Sequence, residues 1–240
     1  MLPGPHDHAR RIAADLRARR PVTDAEFDAL LPPGLRARSG DYWTAVEVAT
    51  TAVGWLVDGG ATRLLDVGAG VGKFCTIAAT QAELRVVGVE RRAHLVDAAR
   101  ALAQALGVET RVTFVAGDLD AVRLDEHDAL YLYNPFSEGL YPRASRLDDS
   151  VAIGPGRAQA DIDRIEQALV TVAPGVQVVT YGGYGGRVPD SFRCVHAADF
   201  DGGRLRCWQQ GAAGARGWIC EHEDHDAPAR SKRDRGREHP

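Results

Sequence analysis

The chain has 240 residues, of which 45% are hydrophobic and 26% charged, the composition of one ordinary globular domain with a full core. Its formal net charge of −4 gives no bulk attraction to nucleic acid or to an anionic membrane. The four cysteines, Cys75, Cys194, Cys207 and Cys220, form no CxxC pair and are expected as reduced, mostly buried thiols. No apolar run reaches the ~20 residues that span a bilayer, and the first residues, MLPGPHDHARR, lack the apolar core of a signal peptide. A soluble, cytoplasmic protein is expected.

Residues 1–8 carry no pattern, and an Arg/Ala-rich helix is expected over 8–20. Thr23-Asp24-Ala25-Glu26 is a capping-box pattern that starts a short helix, ended by Pro32-Pro33-Gly34. Residues 1–40 therefore read as a helical lid or brace. Asp41 is an expected N-cap for a longer, largely buried helix over 42–57. Tyr42 and Trp43 on it could face a ligand or the core.

The stretch RLLDVGAGVGKF, residues 63–74, organises the rest of the chain. It reads as a buried strand running into a glycine turn and then a helix from Lys73. In an open α/β sheet a ligand binds at such a place, outside the carboxyl end of the strand. Lys73 is expected as a helix-terminus residue with its head in solvent, and Cys75 as core. Further strands are expected over 84–89, 111–115, 129–133 and 176–181, alternating with helices over 93–106 and 159–172. That alternation predicts a parallel sheet covered on both faces. Residues 137–158 break the rhythm, and a loop of that length in a compact domain is a functional candidate; Glu138, Tyr141, Arg143 and Arg146 lie in it. Strands over 192–198 and 204–209 are joined by Asp201-Gly202-Gly203, a hairpin signal. Residues 221–240, acidic then basic and without apolar content, read as a disordered tail. A metal set from Cys220, His222 and His225, or from His6 and His8, is not expected, because ligands need fixed geometry.

Three features narrow the ligand of the glycine turn. A dinucleotide fingerprint wants a glycine at its sixth position, and that position here is Lys73; the glycines fall instead at 68, 70 and 72. Asp66 precedes them. Glu90 ends the next strand 22 residues after Gly68, where a carboxylate can accept both hydroxyls of a ribose.

In combination these residues resemble the class I S-adenosylmethionine-dependent methyltransferases. LLDVGAGVG resembles that family's motif I, VVGVE its second strand with the ribose-binding acid, Gly117-Asp118-Leu119 the end of its third strand, and DALYLYNPF its motif IV. The resemblance covers about residues 41–210. It implies a Rossmann-like three-layer α/β sandwich with a seven-stranded, mostly parallel sheet in the order 3-2-1-4-5-7-6, placed here at 41–220. It implies S-adenosylmethionine as cofactor. The backbone around Gly68, Ala69, Gly70 and Gly72 would hold its methionine end, oriented by Asp66. Glu90 would hold the ribose, Arg91 would flank the adenine, and Asp118 and Leu119 would bind it.

The corner Asn134-Pro135-Phe136 resembles the D/N-P-P-Y/F motif of methyltransferases that modify planar nitrogens. There Asn134 and a backbone carbonyl would accept hydrogen bonds from the target amine while Phe136 stacks on it, with Pro135 fixing the turn. The expected reaction is direct methyl transfer to a nucleophile, with nitrogen foremost. One proline of that motif is missing, which with the acidic charge makes nucleic acid the less expected acceptor beside a small molecule or a protein. No metal, membrane or particular oligomeric state is called for. An NAD(P)-dependent oxidoreductase on a similar sheet and a non-catalytic cofactor-binding module are the alternatives.

Overall fold

The structure, a computed structural model, describes residues 5–140 and 146–211. Tyr141, Arg143, Cys220, His222 and His225, and the tail at 221–240, lie outside the described residues.

Five strands alternate with helices before the chain closes with a hairpin. The strands are β1 (Arg63–Val67), β2 (Arg85–Glu90), β3 (Val112–Ala116), β4 (Ala129–Leu132), β5 (Gln177–Tyr181), β6 (Phe192–Phe200) and β7 (Gly203–Gln210). They form one sheet in the order β3-β2-β1-β4-β5-β7-β6. The first five are parallel, and β7 runs antiparallel to β5 and β6. This is the expected seven-stranded, Rossmann-like sandwich. The order reverses between β1 and β4, and the carboxyl ends of those two strands flank the crevice where such sheets take ligands.

The central strands are apolar on both faces, and their alternation sorts the core into two layers. Leu64, Val86, Tyr131 and Val179 join the layer holding α5 (Val46–Asp58), α6 (Lys73–Gln81) and α7 (Ala93–Leu106). Leu65, Val67, Val89, Leu130 and Val178 face Ile162, Ile165 and Leu169 of α9 (Pro155–Thr171). The N-terminal helices belong to the first layer. Ile12 and Leu16 of α1 (Pro5–Arg17) and Phe27 of α2 (Asp24–Asp28) are fully buried there. The capping box at α2 is formed in both directions, Glu26 N–H to Thr23 Oγ1 and Thr23 N–H to Glu26 Oε2.

Helix boundaries depart from expectation for local reasons. The described residues of α1 are helical from Pro5 rather than from residue 8, and α9 begins at Pro155 rather than at 159; at Pro155 proline takes a first helical position, where its missing N–H costs nothing. The helix expected from Tyr42 is broken. Two short turns, α3 (Pro33–Arg36) and α4 (Ser39–Tyr42), are followed by extended backbone at Trp43 and Ala45, and α5 starts at Val46. Its first amide is capped from a distance, by Asp24 Oδ1 at 2.9 Å, so Asp41 is not its N-cap. The stretch 137–158 also contains structure: α8 (Ser137–Leu140) follows β4 directly. Among the described residues no helix is long and apolar enough to cross a membrane.

Candidate active site

Gly68, Gly70 and Gly72 all take positive φ, +78°, +54° and +71°, a region that carries a steric cost for residues with a Cβ. Each also admits a close neighbour. A Cβ on Gly68 would lie 3.1 Å from Pro135 Cβ, one on Gly70 2.6 Å from the Trp43 ring, and one on Gly72 2.5 Å from the Phe114 ring. The turn after β1 is thus pressed by the corner after β4 on one side and by Trp43 on another.

The amides of this turn are largely engaged within the protein. Gly68 and Ala69 donate to Val89 O at 2.9 and 3.0 Å, and Gly72 donates to Ala69 O at 2.8 Å. Gly70 donates to Glu90 Oε2 at 3.1 Å, while Glu90 Oε1 accepts from the Arg92 amide at 2.9 Å. The Glu90 carboxylate therefore braces the turn from the end of β2. A carboxylate offers about four lone-pair sites, and these two bonds take two of them.

A cavity of about 190 Å³ lies over the carboxyl ends of β1, β2 and β4. Of the expected site residues, Gly68, Gly70, Glu90, Arg91, Leu119, Asn134, Pro135 and Phe136 line it. Asp66, Ala69, Gly72 and Asp118 are not part of the lining. Asp66 shares the strand face of Leu64 and so points towards α6, where Cys75 Sγ donates to its Oδ2 at 3.1 Å. Burial there raises its carboxyl from 3.8 to about 7 against the lowering effect of that thiol, and the Glu90 charge adds to the rise. Burial and the neighbouring Asp66 push the Cys75 thiol well up.

Asp118 is the centre of an ion-pair ladder. Its two oxygens meet Arg91 Nε at 2.5 Å and Arg157 Nη2 at 2.6 Å, and Arg91 continues to Asp161 on α9. Arg92, which the sequence did not single out, is 7% exposed and reaches the other way. It pairs with Glu138 of α8 at 2.7 Å and with Asp148 at 3.1 Å. Burial opposes ionisation of Asp148, but Ser150 and the Arg92 guanidinium bring its carboxyl down to about 2. Glu138 Oε1 also accepts from the Leu147 amide at 2.5 Å, and Arg146 Nε donates to Glu138 O. Glu138 and Asp148 are thus tied to the residue two past Glu90, and Arg146 and Leu147 to Glu138. The only signal for Arg92 was its place beside that acid.

The cavity is lined in part by aromatic side chains. Tyr42, Trp43, Tyr133 and Phe136 line it together with Asp41 and Asn134. The Tyr133 ring centre lies 4.8 Å from that of Tyr181, the rings tilted by 38°, and burial, with Tyr181 and Asp41 adding to it, raises its phenol to about 12. Asn134 holds φ +47°, a region where Asn is one of the tolerated side chains. It is locked there by its own amide on Gly183 O at 3.0 Å and by the Ser137 amide on its carbonyl at 3.2 Å. The carbonyl of Asn134 is therefore partly engaged in its own turn.

Lys73 overturns its expected place. It is 2% exposed and donates to Asp24 Oδ1 at 2.6 Å, Asp28 Oδ1 at 2.7 Å and Ser39 Oγ at 3.4 Å. Its partners lie up to 49 residues away in the chain, and that distance hid them from a local reading.

Comparison with known proteins bears on this geometry. Residues 58–130 match a family model described as a methyltransferase domain. No curated protein matches the chain. Among solved structures, the O-methyltransferase from Bacillus cereus in complex with S-adenosylhomocysteine superposes with a TM-score of 0.51 at 14% identity, over 87% of this chain and 93% of that one. The RNA methyltransferase from Salinibacter ruber, also with S-adenosylhomocysteine, gives a TM-score of 0.47 at 23% identity, over 72% and 96% of the two chains. Residues 58–130 are thus similar to a methyltransferase domain, and the sheet that contains them has the Rossmann-like fold of the Bacillus cereus O-methyltransferase.

Proposed function

We propose that the protein transfers a methyl group from S-adenosylmethionine to a nitrogen of a neutral or cationic acceptor. The observation that carries this reading is the continuity of one cavity. Gly68, Gly70, Glu90 and Leu119 line the same volume as Tyr133, Asn134 and Phe136, so a donor held by the first set and an acceptor held by the second would meet in it. The cofactor, when bound, supplies a sulfonium-activated methyl group.

The residues suit that cofactor. Gly68 and Gly70 present backbone to its methionine end. Glu90 offers lone pairs to the ribose, while Leu119 gives an apolar wall to the adenine, beside the Arg91–Asp118 pair. Asp66 acts from behind, by supporting the turn. On the acceptor side, Asn134 offers a side-chain carbonyl to an amine, and Phe136 and Tyr133 offer ring faces to a planar group. Positioning of this kind accounts for much of the rate in an in-line transfer. Residues 1–40 serve as the brace of the domain at 41–220, and the described part of the 137–158 loop, with Glu138, Leu147 and Ile153 on the cavity, as its cover.

Charge narrows the acceptor. Arg91 and Arg92 on the cavity wall are matched by the carboxylates of Asp118, Asp161, Glu138 and Asp148, and Asp41 and Glu90 add further negative charge. A phosphate or carboxylate on the acceptor would meet carboxylates already holding these guanidiniums. A small molecule or a protein side chain is favoured over a nucleic acid on that ground.

Calorimetric titration tests the donor: S-adenosylhomocysteine should bind and NADH should not, and the reverse result defeats the reading in favour of an oxidoreductase. Transfer of radiolabelled methyl to a fractionated cell extract tests the acceptor, with label expected in the small-molecule or protein fraction. Asn134→Ala should keep S-adenosylhomocysteine affinity and lose that transfer; wild-type transfer would remove Asn134 from the mechanism.

A further inference from the structure

Lys73 is the first residue of α6, directly after the glycine turn. A cation there opposes the partial positive charge of the helix N-terminus, so the helix does not account for its placement. Its partners do. The ammonium joins Asp24 and Asp28 of α2 to Ser39 of α4 and sits 5.5 Å from the Phe27 ring. The same Asp24 oxygen accepts from the Val46 amide, the first residue of α5. One buried ammonium therefore fixes both ends of the segment 39–46.

Trp43 is in that segment. Its Nε1–H donates to Leu35 O at 3.3 Å, and its ring lies where a Cβ of Gly70 would point. Next to it, Thr44 Oγ1 and Tyr131 OH are 3.0 Å apart, which joins the segment to β4. The Trp43 amide closes α4 on Ser39 O at 3.0 Å, and the backbone then runs extended to Ala45, so the indole hangs between the end of α4 and the start of α5. Both of those ends reach Lys73, α4 through Ser39 Oγ and α5 through Asp24 Oδ1.

We infer that Lys73 is a positioning residue for the donor site: through Asp24, Asp28 and Ser39 it sets the Trp43 ring against Gly70, and that ring forms the wall against which the methionine end of the cofactor is held. The inference rests on the reading of the cavity as an S-adenosylmethionine site. It makes the N-terminal segment a part of that site.

A double-mutant cycle on S-adenosylhomocysteine affinity tests it, with Trp43→Ala, Lys73→Met and the double variant, all in the full chain. Each single change should weaken binding about tenfold, and the double about tenfold as well, because residues acting through one contact are non-additive. Amide exchange across 39–46 should accelerate in Lys73→Met while β1 and β4 stay protected. Wild-type affinity in Lys73→Met, or a double variant weakened by about the product of the two singles, about a hundredfold, overturns the inference. If Lys73→Met does not fold, Asp24→Asn, at the more exposed carboxylate, takes its place in the same cycle with the same two readings. A wild-type protein that fails to bind S-adenosylhomocysteine would instead defeat the function proposed above, so the two failures are distinct.

Discussion

Asp66→Asn is expected to stabilise the protein in neutral and alkaline solution. Asp66 is 4% exposed, and its one short-range partner is a thiol, Cys75 Sγ at 3.1 Å. A thiol is a weak donor, so the carboxylate loses more hydration than it recovers, and its carboxyl rises from 3.8 to about 7. The folded state then binds a proton that the unfolded chain has released. Between pH 3.8 and about 7 stability therefore falls as pH rises, and above that window the full cost of the buried charge is present. At about 1.4 kcal/mol per pH unit, the rise sets an upper limit of about 4 kcal/mol on that cost. An asparagine keeps the shape, accepts from the same thiol through Oδ1, and carries no charge. Urea unfolding of both proteins at pH 5, 6, 7 and 8 should show the variant gaining on the wild type with each step, to an advantage of about 2–4 kcal/mol at pH 8. A difference that is flat with pH, or a wild type that gains as pH rises, would refute the reasoning.

Glu90→Gln should weaken both fold and donor binding. The side-chain amide can accept only one of the two backbone N–H groups that the carboxylate now holds, and it turns a donor on the other. A buried donor left without a partner costs about 1–3 kcal/mol, which a melt of a domain this size reads as a drop of about 2–12 °C; an unchanged melting temperature would show that Glu90 does not brace the turn. Gly72→Ala and Gly107→Ala separate space from backbone angle. Their φ values are close, +71° and +68°, but a Cβ at 72 meets the Phe114 ring at 2.5 Å and one at 107 meets nothing within 4 Å. The first should cost about 2–4 kcal/mol and the second about 1–2, measured by denaturant midpoints; equal losses would mean that the contact with Phe114 is harmless.

Much of this molecule is legible without coordinates, and the reason is range. Strand periodicity, the glycines at 68, 70 and 72, the Thr23–Glu26 capping box and the Asp201-Gly202-Gly203 turn are each decided within a few residues. The acids Glu90 and Asp118 are legible in the same way, because a strand end is a local event and a parallel sheet brings successive strand ends to one edge. The same reasoning placed Asn134 and Pro135 beside Gly68, since β4 neighbours β1.

What the sequence by itself could not determine is which group each charge would meet. Strand ends supplied the positions of Asp66 and Asp118, but only the pleat sent Asp66 towards Cys75, and only the packing of α9 closed Arg91 and Arg157 on Asp118. The tertiary structure also broke the helix expected from Tyr42, because Asp24, held by Lys73, caps Val46 from another helix. Ion pairs act at contact distance in space and are indifferent to separation along the chain. The Rossmann-like sheet is accordingly written in local pattern, whereas the wall over its glycine turn exists only where residues 24, 28, 39 and 73 meet.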